Sequence, residues 1–201
     1  METQRKLLIG TGNAGKVREL TELLADVPYQ VISLEKLGID CEVDETGSSF
    51  EENAVIKATT YSRITKLTTI ADDSGLEVDV LGGDPGVYSA RYAGKGVSDT
   101  GRIEFLLSKL KDLGTDNLAA RFRCVAAIAW PEGRFQTYNG LCEGTLTMSP
   151  RGTNGFGYDS IFIVNGFSRT MAELSDFEKN DVSHRAMAIR QISDALIAGK
   201  N

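Results

Sequence analysis

The sequence predicts an α/β protein, on three observations. Its first 35 residues read as strand, helix, strand. An apolar stretch from Leu67 to Ala71 has the composition of a buried strand. Alternating runs at Leu76–Val80 and through Ala119–Thr147 mark further strands, separated by segments whose apolar residues recur at helical spacing.

Lys6 to Ile9 is the first strand, and it runs into Gly10-Thr11-Gly12-Asn13-Ala14-Gly15-Lys16. Val17, Leu20, Leu23, Leu24 and Val27 then follow helical spacing until Pro28 stops the helix, and Val31 to Leu34 reads as a second strand. The glycine loop fits two motifs. Read as Gly10-x-Gly12-x-x-Gly15, with Glu35 about 20 residues further on, it matches a dinucleotide fingerprint. Read as Gly10-x-x-x-x-Gly15-Lys16 it approaches a P-loop, although Val17 stands where the cation-holding hydroxyl belongs. Both readings share backbone N–H groups at a helix start beside a lysine, which is a site for phosphate.

Cys41 to Glu45 is acidic, and Ser49-Phe50-Glu51-Glu52 has the spacing of a capping box opening a helix to about Lys66. On that helix Asn53 and Lys57 are four apart and share a face, with Glu45 just ahead of its start. A carboxylate and a lysine can thus address one ligand near the helix's amino end, although spacing alone also fits a solvated surface lysine. The next segment carries the chemistry. The apolar strand Leu67–Ala71 is expected to deliver Asp72 and Asp73 to its carboxyl end, with Gly75 turning the chain away. Ligands of open α/β sheets bind at such strand ends. Adjacent strand residues face opposite ways, so one aspartate should meet the ligand while the other is held by structural hydrogen bonds. Paired carboxylates suit a hard cation such as Mg²⁺; a plain solvated turn has the same composition.

Leu76, Val78 and Val80 alternate with acidic residues as a half-buried strand, and Gly82 to Gly86 forms a loop. Ser98 caps a helix bearing Ile103, Leu106, Leu107 and Leu110. Ala119–Trp130 and Phe135–Thr147 form a long hairpin around Pro131-Glu132-Gly133. A further glycine loop, Gly152 to Asp159, flanks Phe156 with glycines, so a backbone can approach a ligand while a ring is offered for stacking. Ser160 to Val164 is a strand. Ser183 caps a last helix carrying Ala188, Ile189, Ile192 and Leu196, with His184, the single histidine, and Arg185 in its first turn. Cations there oppose the helix dipole by a few tenths of a kcal/mol each, up to about 1 kcal/mol, and a broken local rule tends to mark function.

The 28 acidic residues outnumber the 22 lysines and arginines, giving a net charge of −6 that argues against a nucleic-acid partner. A lysine cluster or a bound cation can still reverse the sign locally for a polyanionic small molecule. Cys41, Cys124 and Cys142 lack metal or disulfide spacing and read as buried small hydrophobes in a reducing compartment. Neither a signal-peptide core nor a membrane-length apolar run is present, so a soluble, cytoplasmic protein without a membrane partner is expected.

In order and spacing, blocks at 11–16 (Thr-Gly-Asn-Ala-Gly-Lys), 45–54 (Glu-Thr-Gly-Ser-Ser-Phe-Glu-Glu-Asn-Ala), 71–76 (Ala-Asp-Asp-Ser-Gly-Leu), 85–92 (Pro-Gly-Val-Tyr-Ser-Ala-Arg-Tyr), 155–159 (Gly-Phe-Gly-Tyr-Asp) and 183–185 (Ser-His-Arg) resemble the inosine/xanthosine triphosphate pyrophosphatases. The likeness covers nearly the whole chain, taken as one catalytic domain over residues 1–201; Ser160 departs from the family's usual proline. It implies an elongated α/β fold with a mixed sheet and flanking helices, two lobes around a central cleft, and usually a homodimer. It also implies Mg²⁺-dependent hydrolysis of ITP, dITP and XTP to monophosphate and pyrophosphate. By the same resemblance Glu45 and Asp73 would hold Mg²⁺, and Asp73 would be the catalytic residue acting on the attacking water. Thr11, Gly12, Asn13, Ala14, Gly15, Lys16, Lys57 and Ser74 would bind the triphosphate. Phe156, within the turn that includes Gly157 and Tyr158, would stack on the base, with Asp159 ordering the pocket and Lys179, His184 and Arg185 donating to its oxo groups. The glycine loop with Glu35 also admits an NAD-dependent oxidoreductase, a reading that leaves Asp72, Asp73 and Lys179 to Arg185 without a task.

Overall fold

The computed structural model describes residues 5–199. Met1 to Gln4, part of the stretch read as lacking a signal-peptide core, lie outside the described residues. Among the described residues a mixed sheet with flanking helices is observed: six strands in the order β2-β1-β3-β4-β5-β6. These are β1 (Lys6–Ile9), β2 (Gln30–Ser33), β3 (Thr68–Val78), β4 (Ala119–Ala129), β5 (Phe135–Leu146) and β6 (Phe162–Val164). β1 runs parallel to β2 and β3, whereas β6 is antiparallel to β5. The helices are α1 (Ala14–Leu23), α2 (Phe50–Thr65), α3 (Asp99–Leu113), α4 (Asp176–Val182) and α5 (His184–Ile197).

The chain divides into two compact units, one of Met1–Asp73, Cys124–Gly140 and Arg185–Asn201, the other of Ser74–Arg123 and Leu141–His184. In the first unit, strand alternation sends Leu7 and Ile9 to one face of β1 and Leu8 to the other. Leu7, Ile9 and Ile70 pack with Leu20 and Leu24 of the α1 segment and with Ala188, Ile189, Ile192 and Leu196 of α5. Leu8 meets Ile32, Leu34 and Tyr61, the last from α2. Each such fully buried aliphatic side chain contributes about 1.5–3 kcal/mol. In the second unit Ile103, Leu106 and Leu110 of α3 pack with Leu76, Val78, Phe122 and Phe162.

Cys41 is exposed rather than the buried small hydrophobe expected, whereas Cys124 and Cys142 are buried, and three further sequence expectations change. The Asp72-Asp73-Ser74-Gly75 stretch is strand rather than turn, because β3 continues without a break from Thr68 to Val78. Its aspartates find buried partners, so the polar side chains give the ladder no reason to end. The box at Ser49 forms by half: Ser49 Oγ accepts from the Glu52 N–H at 3.1 Å, but Glu52 turns its carboxylate to Ser48, accepting from the Ser48 N–H at 2.6 Å. Lastly, α4 is an additional helix, opened by a complete box between Ser175 and Glu178.

Candidate active site

In the first unit, three separate segments gather around the aspartates of β3. Asn13 caps α1, its side chain accepting from the Lys16 N–H at 3.0 Å, so Ala14, Gly15 and Lys16 belong to the first helical turn rather than to a loop. Thr11 supports that cap through its hydroxyl, which accepts from the Asn13 N–H at 3.2 Å. Lys16 then reaches back to β3, with Nζ 3.0 Å from Asp72 Oδ2 and donating to the Asp72 carbonyl at 3.3 Å.

Arg185, in the first turn of α5, donates from Nε to the same Asp72 oxygen at 3.1 Å and pairs through its other end with Glu19 of α1. Expected beside the base, its guanidinium is thus seen between two anions of its own unit, which answer the unfavourable cation at a helix start. Asp72 is 0% exposed and Arg185 2%. Burial alone raises the Asp72 pKa, but Lys16, Arg185 and Lys57 outweigh it and hold the carboxyl well below the usual range. Burial likewise lowers Arg185, and Asp72 and Glu19 more than restore it. The Cys124 thiol, 3.8 Å from Asp72 Oδ2, is driven up by burial and then by that charge, so it is an inert neighbour and not a nucleophile.

Asp73 has a different set of partners. Oδ2 accepts from Asn53 Nδ2 of α2 at 3.0 Å, and four residues along the helix Lys57 pairs with Glu45. Lys57 is 8% exposed, which decides against the solvated surface lysine. Burial lowers its pKa, and Asp73, Asp72 and Glu45 outweigh that and raise it. Asp73 moves up: burial raises it, Lys57 and Lys16 offset part of this, and the charge of Glu45 adds to the rise. Two adjacent carboxyls are therefore pushed in opposite directions, Asp72 down, its burial outweighed by its cations, and Asp73 up by burial. Two mutually repelling oxygen-donor carboxylates, Glu45 and Asp73, fit a hard divalent cation that keeps waters and substrate oxygens for its other positions. Among the described residues no group of three or more His, Cys, Asp and Glu forms a metal cage.

In the second unit, Ser74 continues β3, half-buried. A tight turn holds Phe156. Asp159 Oδ2 accepts from the Phe156 N–H at 3.0 Å and from Lys179 Nζ at 2.6 Å, and that ammonium lies 5.1 Å from the Phe156 ring centroid. Gly155 makes this possible, since at φ +77° a Cβ would fall 2.1 Å from Asp159 Oδ2. Beyond the ring, the Gly157 N–H donates to Asp99 Oδ2 at 2.6 Å and the Tyr158 hydroxyl to the Ser89 carbonyl at 3.0 Å. Asp99 is itself paired with Arg102. His184 stacks on Phe122 with centroids 4.7 Å apart and planes 11° from parallel. Sequence reasoning missed Asn53, Glu19 and Asp99 as partners of this machinery. Only Asn53 carried a signal, its spacing from Lys57.

The fold is α/β, and its donor sets bring lysines and a helix amino terminus beside carboxylates. The chain belongs to the Ham1 family, whose model matches residues 7–195. It is 50% identical over 192 residues to the dITP/XTP pyrophosphatase of Bacillus licheniformis, covering 96% of this chain and 98% of that one. With the Bacillus subtilis dITP/XTP pyrophosphatase the identity is 47% over 198 residues, covering 98% of this chain and all of that one (100%). The Ham1 protein structure from Staphylococcus aureus superposes with a TM-score of 0.85 at 41% identity, covering 98% of this chain and 100% of that one. The family expected from the sequence blocks is the family found.

Proposed function

We propose that this protein hydrolyses dITP, ITP and XTP to the monophosphate and pyrophosphate, with Mg²⁺, and that the whole chain serves as one catalytic domain. The observation that carries the reading is the convergence of Lys16, Asn53, Lys57 and Glu45 on Asp72 and Asp73 from three distant segments of the chain. Mg²⁺ held by Glu45 and Asp73 would neutralise phosphate charge and lower the pKa of a bound water. The chain's own groups do the rest. Asp72, fixed by Lys16 and Arg185, keeps β3 and α1 in register. Lys16 and Lys57, with Ser74 and the loop and helix start from Thr11 to Gly15, hold the phosphates. Asp73, its proton affinity raised by burial, orients the attacking water and accepts its proton as the bond at the α-phosphorus breaks.

On the base side, Phe156 offers its ring and Lys179 and His184 offer donors, with Arg185 assigned to the same task by resemblance. Hypoxanthine and xanthine present a 6-oxo acceptor to such donors, whereas adenine presents an amino group that leaves them unpaired. Discrimination of about 10⁴-fold is within reach of a polar site of this kind. Among the described residues no helix is long and apolar enough to cross a membrane. A cytoplasmic location agrees with the free thiols of Cys41, Cys124 and Cys142, and a homodimer, expected from the resemblance, is read by light scattering. One nucleotide panel with a pyrophosphate readout, with and without EDTA, tests the activity. The expected result is release from dITP, ITP and XTP far faster than from ATP, abolished by EDTA; equal turnover of ITP and ATP at saturating Mg²⁺ overturns the specificity.

A further inference from the structure

Asn53 is 0% exposed in the first turn of α2, and both ends of its carboxamide are engaged. Oδ1 accepts from the Gly47 N–H at 2.8 Å, and Nδ2 donates to Asp73 Oδ2 at 3.0 Å. The partners dictate the orientation of the amide, because an N–H requires the oxygen and a carboxylate requires the NH₂. Among short side chains only Asn offers a donor and an acceptor on one planar group. The Gly47 end shows independently how closely the loop is seated. A Cβ at Gly47 would lie 2.7 Å from Asn53 Oδ1 and 2.6 Å from Glu52 Cβ, so the backbone approaches α2 at a distance only glycine permits. Gly47 follows Glu45 by two residues, and Glu45 is itself held by Lys57, one helical turn beyond Asn53.

We propose that Asn53 is a positioning residue that locks the loop bearing Glu45 to the strand bearing Asp73, setting the spacing of the two carboxylates for a divalent cation. Because Glu45 and Asp73 are read as the cation's carboxylates, this role rests on the function proposed above. α2 is then a two-point clamp: Asn53 fixes the orientation of Asp73 and the loop backbone, and Lys57 fixes the Glu45 side chain. Groups that orient metal-binding side chains typically change affinity or activity by 10–100-fold when removed.

Mn²⁺ titration followed by electron paramagnetic resonance, without nucleotide, reads the spacing directly. Steady-state kinetics with ITP at varied Mg²⁺ then separate kcat from KM. Asn53→Leu keeps the branching of the side chain and removes both hydrogen bonds; Gly47→Ala keeps Asn53 and displaces the loop. Both variants are expected to bind Mn²⁺ at least about tenfold more weakly and to lose about 10–100-fold in kcat, with KM for ITP within about threefold of the wild type. Should Asn53→Leu fail to fold by circular dichroism, Gly47→Ala decides alone. Folded variants whose Mn²⁺ affinity stays within about twofold of the wild type overturn the role, even if turnover falls. Wild-type protein that bound no Mn²⁺ would sink the cation reading and this role together, whereas wild-type binding with unaltered variants sinks the role alone.

Discussion

Replacing Asp72 with Asn would strip the negative charge from between Lys16 and Arg185, taking the carboxylate from Lys16 and leaving buried Arg185 paired with Glu19. Breaking such a network by removing one partner costs about 3–5 kcal/mol, which for a chain of this size lowers the thermal midpoint by roughly 6–20 °C. The pH dependence has a definite sign. Burial opposes ionisation of Asp72, but Lys16, Arg185 and Lys57 depress its folded pKa, so its stabilisation is present above the unfolded value and lost as pH falls through the folded one. Thermal midpoints of the wild type should therefore fall steeply in acid below about pH 4, and those of Asp72→Asn should fall less. Asp73→Asn is expected to do the opposite. Burial raises that carboxyl, so its contribution is present below the unfolded value and is lost as pH rises through the folded one, making ionised Asp73 a cost at neutral pH. At pH 7 the variant should melt at or above the wild-type midpoint while kcat for ITP drops by about 10²–10⁴-fold. A melting point well below wild type would assign Asp73 to structure rather than chemistry.

The Gly155–Asp159 turn behaves as a unit, and its weakest point is Gly155. Ala at that position combines a left-handed φ of +77° with a Cβ 2.1 Å from Asp159 Oδ2, so the Asp159–Lys179 pair must open. Strain of about 1–3 kcal/mol is enough to displace the Phe156 ring, and Gly155→Ala should raise KM for ITP by about tenfold or more with a smaller change in kcat. An unchanged KM in steady-state kinetics would detach the turn from substrate binding. The glycines flanking Phe156 made a turn legible in the sequence, although the same pattern also fitted ordinary core packing of the ring. β3 was legible at its two ends, expected as strands at Leu67–Ala71 and Leu76–Val80, but not in between. Asp72-Asp73-Ser74-Gly75 has turn composition, and partners distant in sequence, Lys16, Asn53 and Arg185, hold it as strand. Lys57 was legible as a face-mate of Asn53 but not as buried, since spacing on a helix reports direction and not what lies opposite. α4 had its signal in Ser175-x-x-Glu178, but seven residues are too few for apolar periodicity to speak.

Across the whole molecule, stability and the proposed chemistry are linked through Glu45 and Asp73. Their mutual repulsion and the burial of Asp73 weaken the folded state at neutral pH, so a ligand that binds both carboxylates only when the chain is folded must stabilise it. At about 100 times the dissociation constant that linkage is worth about 2.7 kcal/mol, or roughly 5–10 °C in the thermal midpoint. The net charge of −6 adds a generic response, because any salt screens self-repulsion. Specific binding is separated from screening by comparing Mg²⁺ with NaCl at equal ionic strength. Mg²⁺ should raise the midpoint further and saturate, EDTA should reverse the excess, and Glu45→Gln and Asp73→Asn should each remove it while keeping the NaCl response. Arg121, which bridges Glu77, Asp79 and Glu143 in the second unit, supplies the control. Arg121→Ala breaks exposed ion pairs worth at most about 1 kcal/mol each and should leave the Mg²⁺ excess intact. A midpoint that tracked ionic strength alone in every variant would show that the two carboxylates do not act together on a cation, and would end the case for Glu45 as the partner of Asp73.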